Sequence, residues 1–329
     1  MDAHLTALAE ANGGYLFRHQ LLDLGVDDRI IAAWRRAGEV VRIRHGTYAT
    51  RASWATADDG QRLAIRTRSV LDKLGPGVVA THASAAALHG LDLYLPSAGP
   101  VHVTRVDGRA GRQEAGVIHH ENDLPDSDVV EVDGRAVSSP LRAVLEVAVS
   151  EDVESAMVTI SSALRLGLVS ETDLERSLVA LRHWPGVRRA RLAVRLSDPA
   201  LESVGEVRSL HMMWEGALPH PTLQARLALA GGGDARLDFL WEWWCHVGEF
   251  DGQLKYGRLN LLPDDRGLVL TQEKIREDRI RSLGLGMSRW VWADLAPDRR
   301  AATAERIRRA MHESRRLYAR EARSFAVHR

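Results

Sequence analysis

Hydrophobic and polar positions in the first 50 residues predict three short helices followed by a β-hairpin. Apolar side chains recur at helical spacing over residues 4–12 and 18–24, and glycines end both segments. A third helix is expected at residues 28–37, where Asp27 is a suitable N-cap. The next stretch, VVRIRHGTYAT, has the pattern of two short strands around a turn. This order of elements predicts a winged helix-turn-helix at residues 1–52.

The third helix has an apolar side and a polar side. Ile30, Ile31 and Trp34 are expected to face the interior, which leaves Arg29 and Arg36 on the outer face. In a helix-turn-helix, the helix at this place in the motif enters the major groove of DNA. We therefore predict that it is the recognition helix.

Positive charge is concentrated on this helix and on the hairpin that follows it. Residues 29–44 contain five arginines and one acidic residue. A basic patch of this kind neutralises DNA phosphates. The alternative is that these arginines only form the solvated face of a small helical module. The predicted DNA-binding residues are Arg29, Arg36, Arg42 and Arg44.

Residues 53–198 show both helical and strand periodicity, which predicts a mixed α/β middle domain. The predicted helices cover residues 57–74, 82–88, 141–149, 153–164 and 172–181, and the predicted strands cover 101–106, 116–122 and 128–138. His119 and His120 are potential metal ligands, but neighbouring residues of one strand point to opposite faces. A metal site is therefore not favoured there, and His82 is assigned no catalytic role.

Residues 199–297 predict a third domain, which begins with an amphipathic helix and continues with strands. The segment RLDFLWEWWCHVGEFD has the pattern of a hairpin, with Glu242 and Trp243 as a two-residue turn. In that register Asp238 and Glu249 are diagonal neighbours on one face, roughly 7–8 Å apart at the backbone. A shift of one residue would move Glu249 to the opposite face.

Two carboxylates at this separation can bind one divalent cation, Mg²⁺ or Mn²⁺. Asp238 and Glu249 are the predicted metal ligands, and Asp251 lies one position further along the same face. The ion would activate a water molecule for phosphodiester hydrolysis. Lys255 could fold back and stabilise the developing negative charge. The alternative is that these acidic residues only keep a strand edge soluble.

The segments ESVGEVRSL, RLDFLW, VGEFDGQLKY and EKIREDRIRSLG resemble the PD-(D/E)XK nuclease superfamily, in particular its Vsr-like branch. The resemblance implies a restriction-endonuclease-like α/β domain. It also implies catalytic roles for Glu206 on a helix, Asp238 on a strand and Glu249 at the second acidic position. Lys255 stands where the branch often has histidine, whereas a strict E-x-K motif would have lysine at 251. Whether the domain is an active enzyme stays open.

The N-terminal sequence is similar to the winged-helix domain of AbiEi-type antitoxins from type IV toxin–antitoxin systems. THASAAALHGL and DGRAVSSPLRAVLEVA are similar to the middle region of the same group. These resemblances imply a DNA-binding module and a cognate toxin encoded nearby. Two functions follow. One is a metal-dependent DNA endonuclease, and the other is a non-catalytic transcriptional regulator with a vestigial nuclease fold.

The composition limits how the protein can bind DNA and where in the cell it is expected. The chain has 329 residues with 44 basic and 44 acidic side chains, so any DNA contact must come from local clustering of charge. One cysteine excludes a disulfide framework and fits a reducing compartment. Neither a secretory leader nor a membrane span is apparent, so a cytoplasmic protein without membrane contact is expected. The expected fold class is α+β multidomain.

A basic helix is predicted at residues 298–329. It contains ten arginines and four acidic residues, a net charge of +6. It is a candidate for contacts with backbone phosphates. The alternative is an amphipathic helix that packs on the body of the protein through Ile307, Met311 and Leu317.

Overall fold

The computed structural model describes a mixed α/β protein with sheets of three, six and four strands, in agreement with the expected α+β class. Contacts between residues divide the chain into two compact units, Met1–Ser197 and Asp198–Arg329. The described residues are 3–95, 99–121, 123–228, 233–252 and 275–319.

The first unit begins with three helices and a three-stranded antiparallel sheet of order β1-β3-β2. The predicted helices and hairpin are present, whereas the three-residue strand β1 was too short to predict. The Asp27 side chain accepts the Ile30 N–H, and Gly38 ends the third helix in the left-handed region. The elements are α1 (Ala3–Ala11), β1 (Tyr15–Phe17), α2 (Arg18–Asp23), α3 (Asp28–Ala37), β2 (Val40–Arg44) and β3 (Thr47–Thr50).

Ile30 does not face the interior, so this part of the prediction was wrong. Ile31 is buried and Trp34 packs against the same core, whereas Ile30 is 41% exposed. Consecutive residues of a helix are about 100° apart, so two neighbours cannot both lie at the centre of a narrow buried stripe. The exposed surface of α3 therefore includes an apolar side chain as well as arginines.

The rest of the first unit is a six-stranded sheet of order β6-β7-β5-β4-β9-β8 with helices packed against it. The pairs β5/β7 and β4/β9 are parallel, and the other pairs are antiparallel. Its helices are α4 (Arg51–Ala55), α5 (Asp59–Leu74), α6 (His82–Leu88), α7 (Pro140–Ser150), α8 (Val153–Arg165), α9 (Glu171–Ala180) and α10 (Val187–Leu196). Its strands are β4 (Val78–Ala80), β5 (Val101–Arg105), β6 (Arg112–Glu114), β7 (Val117–His120), β8 (Val129–Val132) and β9 (Arg135–Ser138).

The second unit contains a four-stranded sheet of order β10-β11-β12-β13, in which only the last pair is parallel. Leu237, Val247, Ile280 and Leu285 form part of its core. No helix in the described parts of the chain is long and apolar enough to cross a membrane. The elements are α11 (Val204–Glu215), β10 (Thr222–Ala228), β11 (Asp234–Trp241), β12 (His246–Asp251), α12 (residues 275–281), β13 (Gly286–Val291) and α13 (Arg300–Tyr318).

The β11–β12 hairpin differs from the predicted register by two residues. Trp241 pairs with His246 and Phe239 with Gly248, so the predicted two-residue turn is wrong. A 3₁₀ turn precedes Cys245, whose φ of 47° reverses the chain in the left-handed region. Because side chains alternate with a period of two, this shift keeps every residue on its predicted face.

Gly248 provides a test of packing in this sheet. A Cβ atom at this position would lie 2.5 Å from Trp290 and 3.0 Å from Trp241, and both indoles are buried. We expect Gly248→Ala to lower the free energy of unfolding by about 1–3 kcal/mol, because neither ring has space to move. Urea denaturation followed by tryptophan fluorescence measures this change.

The matched control is Gly60→Ala in the first turn of α5. The added methyl group would meet no atom closer than 3.4 Å, and alanine favours the helix. We expect this variant to be neutral or slightly more stable. Equal midpoints for the two variants would contradict the close packing around Gly248.

Candidate functional site

The outer face of α3 and the adjoining strand form an exposed basic surface. Arg29, Arg36 and Arg42 are exposed. Arg29 and Arg36 are seven residues apart, close to two helical turns, so they share one face and lie about 10 Å apart along the axis. Arg42 Nη2 lies 3.0 Å from His45 Nδ1, which holds the guanidinium near the turn of the hairpin. We call Arg29, Arg36 and Arg42 the basic face.

Arg44, the fourth predicted DNA contact, is partly buried. Burial lowers the pKa of this guanidinium, and the charge of Glu114 opposes the shift. The Arg44 charge also acts on Arg66 of α5 and lowers the pKa of that side chain further. Arg44 is therefore oriented toward neighbouring elements of its own unit more than the other three.

Acidic residues at the start of α3 would repel phosphate if their charge were uncompensated. Arg18 Nε donates to Asp28 Oδ1 at 2.8 Å, and a second hydrogen bond joins Arg18 Nη2 to the same carboxylate. This pairing lowers the pKa of Asp28. Asp27 is occupied as the helix cap. The N-terminal end of α3 thus presents little uncompensated negative charge.

In the second unit, the structure brings together three predicted catalytic carboxylates. Asp238 on β11 accepts the Phe250 N–H at 2.9 Å, which holds it against β12. The pKa of Asp238 is raised to about 6, mainly by burial and in addition by the charges of Glu206 and Glu249. Like charges raise a pKa in this way only at short range, so all three carboxylates lie close together.

Both glutamates already have polar partners: arginines pair with Glu249, and a hydroxyl and an amide group donate to Glu206. Glu249, on β12, is buried and lies 2.9 Å from both Arg276 and Arg289. Glu206 accepts hydrogen bonds from Ser203 Oγ at 2.7 Å and Gln224 Nε2 at 2.8 Å. A cation at this site would have to displace an arginine or share Glu249 with it, which is electrostatically costly.

The other two predicted residues of this site contribute less. Asp251 ends β12, is partly buried, and is on the face of Glu249 by strand alternation. Lys255 lies outside the described residues. The predicted lysine role therefore stays a prediction, and the described basic groups near Glu249 are arginines.

The histidine cluster, formed by His82, His102 and His120, is the feature that the sequence patterns missed. One potential ligand atom from each side chain lies within 4.8 Å of the other two. Among the described residues, it is the one group of three histidine, cysteine, aspartate or glutamate side chains close enough to hold a metal ion. Burial lowers the pKa of His82 to about 2 and that of His102 to about 4, so these rings are neutral at pH 7.

Strand alternation does place His119 and His120 on opposite faces, as argued from the sequence. The cluster could not be predicted because it depends on a histidine of the neighbouring strand. Parallel pairing of β5 with β7 sets Thr104 opposite His120, so His102 lies two residues away on the same face. Neither the pairing of these strands nor its direction can be read from the local pattern.

The basic helix α13 packs on its own unit, as the alternative expectation held. Ile307 and Met311 are buried, although Leu317 is 54% exposed. Arg300 pairs with Glu215 at 2.8 Å, and the Arg315 guanidinium lies 3.7 Å from the centre of the Trp243 ring. These contacts use arginines that were candidates for phosphate binding.

Comparison with known proteins supports one of the resemblances. Residues 78–196 match the AbiEi antitoxin C-terminal domain family. Two Mycobacterium tuberculosis proteins, from strains CDC 1551 and H37Rv and both named only as uncharacterised, are each 29% identical over 206 residues. The alignments cover 62% of this chain and 70% of each relative. The similarity of the middle region to AbiEi antitoxins is confirmed, and the winged-helix and nuclease resemblances stay predictions.

The raised pKa of Asp238 predicts a specific dependence of stability on pH. The Asp238 carboxyl group binds its proton more tightly in the folded state than in the unfolded chain. The contribution of this group to stability is therefore fully present below about pH 4 and is lost as the pH rises through about 6. Asparagine cannot ionise and keeps an acceptor for the Phe250 N–H. We expect Asp238→Asn to be more stable than the parent protein by roughly 1–2 kcal/mol at about pH 8. Urea denaturation at both pH values measures this.

The stabilisation should become smaller near pH 4, where the parent side chain is largely protonated. Asp234→Asn is the control, because Asp234 is exposed on the same strand. We expect it to leave the pH profile unchanged. A stabilisation by Asp238→Asn of equal size at both pH values would show that charge at Asp238 is not the cause.

Proposed function

We propose that this protein is a DNA-binding regulator of the antitoxin type, which reads DNA through α3 and the β2–β3 hairpin and partners a toxin encoded nearby. The match of residues 78–196 to the AbiEi antitoxin C-terminal domain carries the proposal. In the same compact unit, that region follows a small helical module with an exposed basic face.

The shape of the N-terminal module suits a DNA groove. The ten residues of α3 form a rod about 15 Å long, which a major groove can accommodate. Arg29 and Arg36 lie on its outer face with the exposed Ile30 beside Arg29. Arginine recognises guanine edges or phosphates, and an apolar side chain can contact a thymine methyl group. The hairpin would carry Arg42 to the adjoining backbone.

The electrostatics point to the same surface. The chain is neutral overall, so attraction to DNA depends on arginines whose charge is not compensated internally. Arg29 and Arg36 form no ion pair with the described residues. The arginines of the second unit at positions 276, 289 and 300 pair with Glu249 or Glu215. The basic face is thus the better candidate for phosphate contact.

The partner follows from the same proposal. An antitoxin-type regulator acts together with a toxin, whose gene we expect next to the gene of this protein. A neighbouring gene for a nucleotidyltransferase-like toxin would support the regulator. Co-purification of the two gene products after joint expression tests their association directly.

DNA binding should depend on the basic face. We expect the triple variant Arg29→Ala, Arg36→Ala, Arg42→Ala to bind the duplex upstream of its own reading frame at least about 100-fold more weakly. The slope of log K against log salt concentration should fall by about 0.9 for each lost phosphate contact. Fluorescence anisotropy between about 50 and 300 mM salt measures both quantities.

The matched control is Arg176→Ala. Arg176 is an exposed arginine on α9 of the same unit, where it lies 3.4 Å from Asp173. It should leave affinity and slope unchanged. Parent-like binding by the triple variant, or equal losses in the triple variant and the control, would refute the proposed surface.

Metal-dependent cleavage of DNA is the second candidate, and Asp238 favours it. A carboxyl group with a pKa of about 6, close to Glu206 and Glu249, is the type of perturbed acid found at catalytic sites. Mg²⁺ or Mn²⁺ held by these oxygens would activate water for attack on phosphorus. The two arginines on Glu249 count against it, because they already neutralise the second ligand.

A plasmid-cleavage assay separates the two functions. If the protein is a regulator, the purified protein should not cleave plasmid DNA with Mg²⁺ or Mn²⁺. Cleavage that Asp238→Ala abolishes and Asp234→Ala preserves would establish the nuclease instead. Cleavage that survives Asp238→Ala would remove the proposed metal site, because Asp238 is one of its two predicted ligands.

A further inference from the structure

We infer that the histidine cluster of the first unit is a binding site for one transition-metal ion of the zinc class, with His82, His102 and His120 as ligands. The site shares no residue with the basic face or with the carboxylates, and it goes beyond the proposed regulatory function. Imidazole nitrogen is a preferred ligand of Zn²⁺, Co²⁺, Ni²⁺ and Cu²⁺.

Three elements converge to bring the rings together. His82 is the first residue of α6, His102 lies on β5 and His120 ends β7. His102 Nδ1 lies 2.9 Å from His120 Nε2, and the two rings are nearly parallel at 14°. The His82 ring stacks on His120 with 4.1 Å between ring centres. Three imidazoles are thus packed where one ion could link them.

Metal binding would require the three rings to rearrange, one of them more than the others. Two nitrogens bound to one tetrahedral Zn²⁺ at about 2.0–2.1 Å lie about 3.3 Å apart. The nitrogens of His102 and His120 would separate by about 0.4 Å from their hydrogen-bonded distance. The nitrogens of the cluster lie within 4.8 Å of one another, so the third ring must rotate out of its stack and approach by up to about 1.5 Å.

The backbone conformation, a hydrogen bond and burial all hold His82 in place. Its φ is 54°, a conformation that costs a non-glycine residue about 1 kcal/mol or more. The backbone N–H of His82 donates to Glu146 Oε2 at 2.8 Å. His82 is 8% exposed, and its Nδ1 has no hydrogen-bond partner among the described residues.

Glu146 supplies an outer partner for the ligand. Its Oε2 lies 3.6 Å from His82 Nδ1, so a slight rotation would make the hydrogen bond that fixes Nε2 toward the ion. Carboxylates commonly orient metal-binding histidines in this way. Burial raises the pKa of Glu146, and hydrogen bonding from His82 and Arg142 opposes that shift.

The charge around the cluster permits a cation. The charge of Arg142 acts on His82, and it is compensated by Glu146 at 2.7 Å and Asp128 at 3.2 Å. The rings themselves are neutral, which is the form that binds metal, because burial lowers all three pKa values. His102 and His120 are partly exposed, which gives an ion access from solvent.

Cobalt and zinc titrations of the purified full-length protein test the site. We expect one Co²⁺ per chain with a tetrahedral absorption spectrum, displaced by one equivalent of Zn²⁺. Zinc should raise the melting temperature, because an ion that binds only the folded state stabilises it. Absence of stoichiometric binding by the parent protein would overturn the inference.

Position 119 offers a matched control for position 120. His119→Gln changes the adjacent histidine, which faces the other side of β7, and should retain the cobalt spectrum. His120→Gln should weaken zinc binding at least about tenfold and abolish the spectrum and the zinc-dependent rise in melting temperature. Retention of the spectrum in His120→Gln, or equal losses in both variants, would refute the assignment.

If a histidine variant fails to fold, the site can still be tested on the parent protein. X-ray absorption of the zinc-loaded parent then decides, because scattering from imidazole rings counts histidine ligands. Three imidazoles are expected, and one or none would refute the site. Glu146→Gln should weaken zinc binding by about 10–100-fold without changing that count.

Discussion

Charge balance constrains how this protein can act on a polyanion such as DNA. With equal numbers of acidic and basic residues, attraction depends on which arginines lack an internal partner. In the second unit, Arg276 and Arg289 pair with Glu249. On α13, Arg308 donates to a carbonyl, Arg300 pairs with Glu215 and Arg315 covers Trp243. On α3, by contrast, the acids at the helix start are already engaged and the arginines face solvent.

The same constraint separates the two candidate functions. A nuclease needs carboxylates that are free to hold an ion, whereas the structure compensates Glu249 with arginine and engages Glu206 as part of a helix cap. A regulator needs an accessible basic surface, and α3 has one because its buried stripe is narrow. Asp238 is the residue that still favours a nuclease. Its burial beside two acids disfavours the ionised form and raises its pKa, as is common for catalytic acids.

Sequence patterns predicted the elements well where periodicity and caps agree. The bounds of α3 follow from Asp27 and Gly38, and the parity of strand residues placed Asp238 and Glu249 on one face although the turn was predicted wrongly. The local pattern could not predict that Ile30 would be exposed, since both neighbouring isoleucines satisfy the periodicity. Nor could it predict the histidine cluster, which depends on a parallel pairing between strands distant in sequence.

Hydrogen exchange measured by mass spectrometry, with and without the upstream duplex, tests the central claim most directly. It reports the contact surface without any substitution in the protein. We expect DNA to slow exchange over residues 28–50, which include α3 and the hairpin, and to leave exchange over residues 204–252 unchanged. Protection confined to β11 and β12, around Asp238 and Glu249, would contradict it.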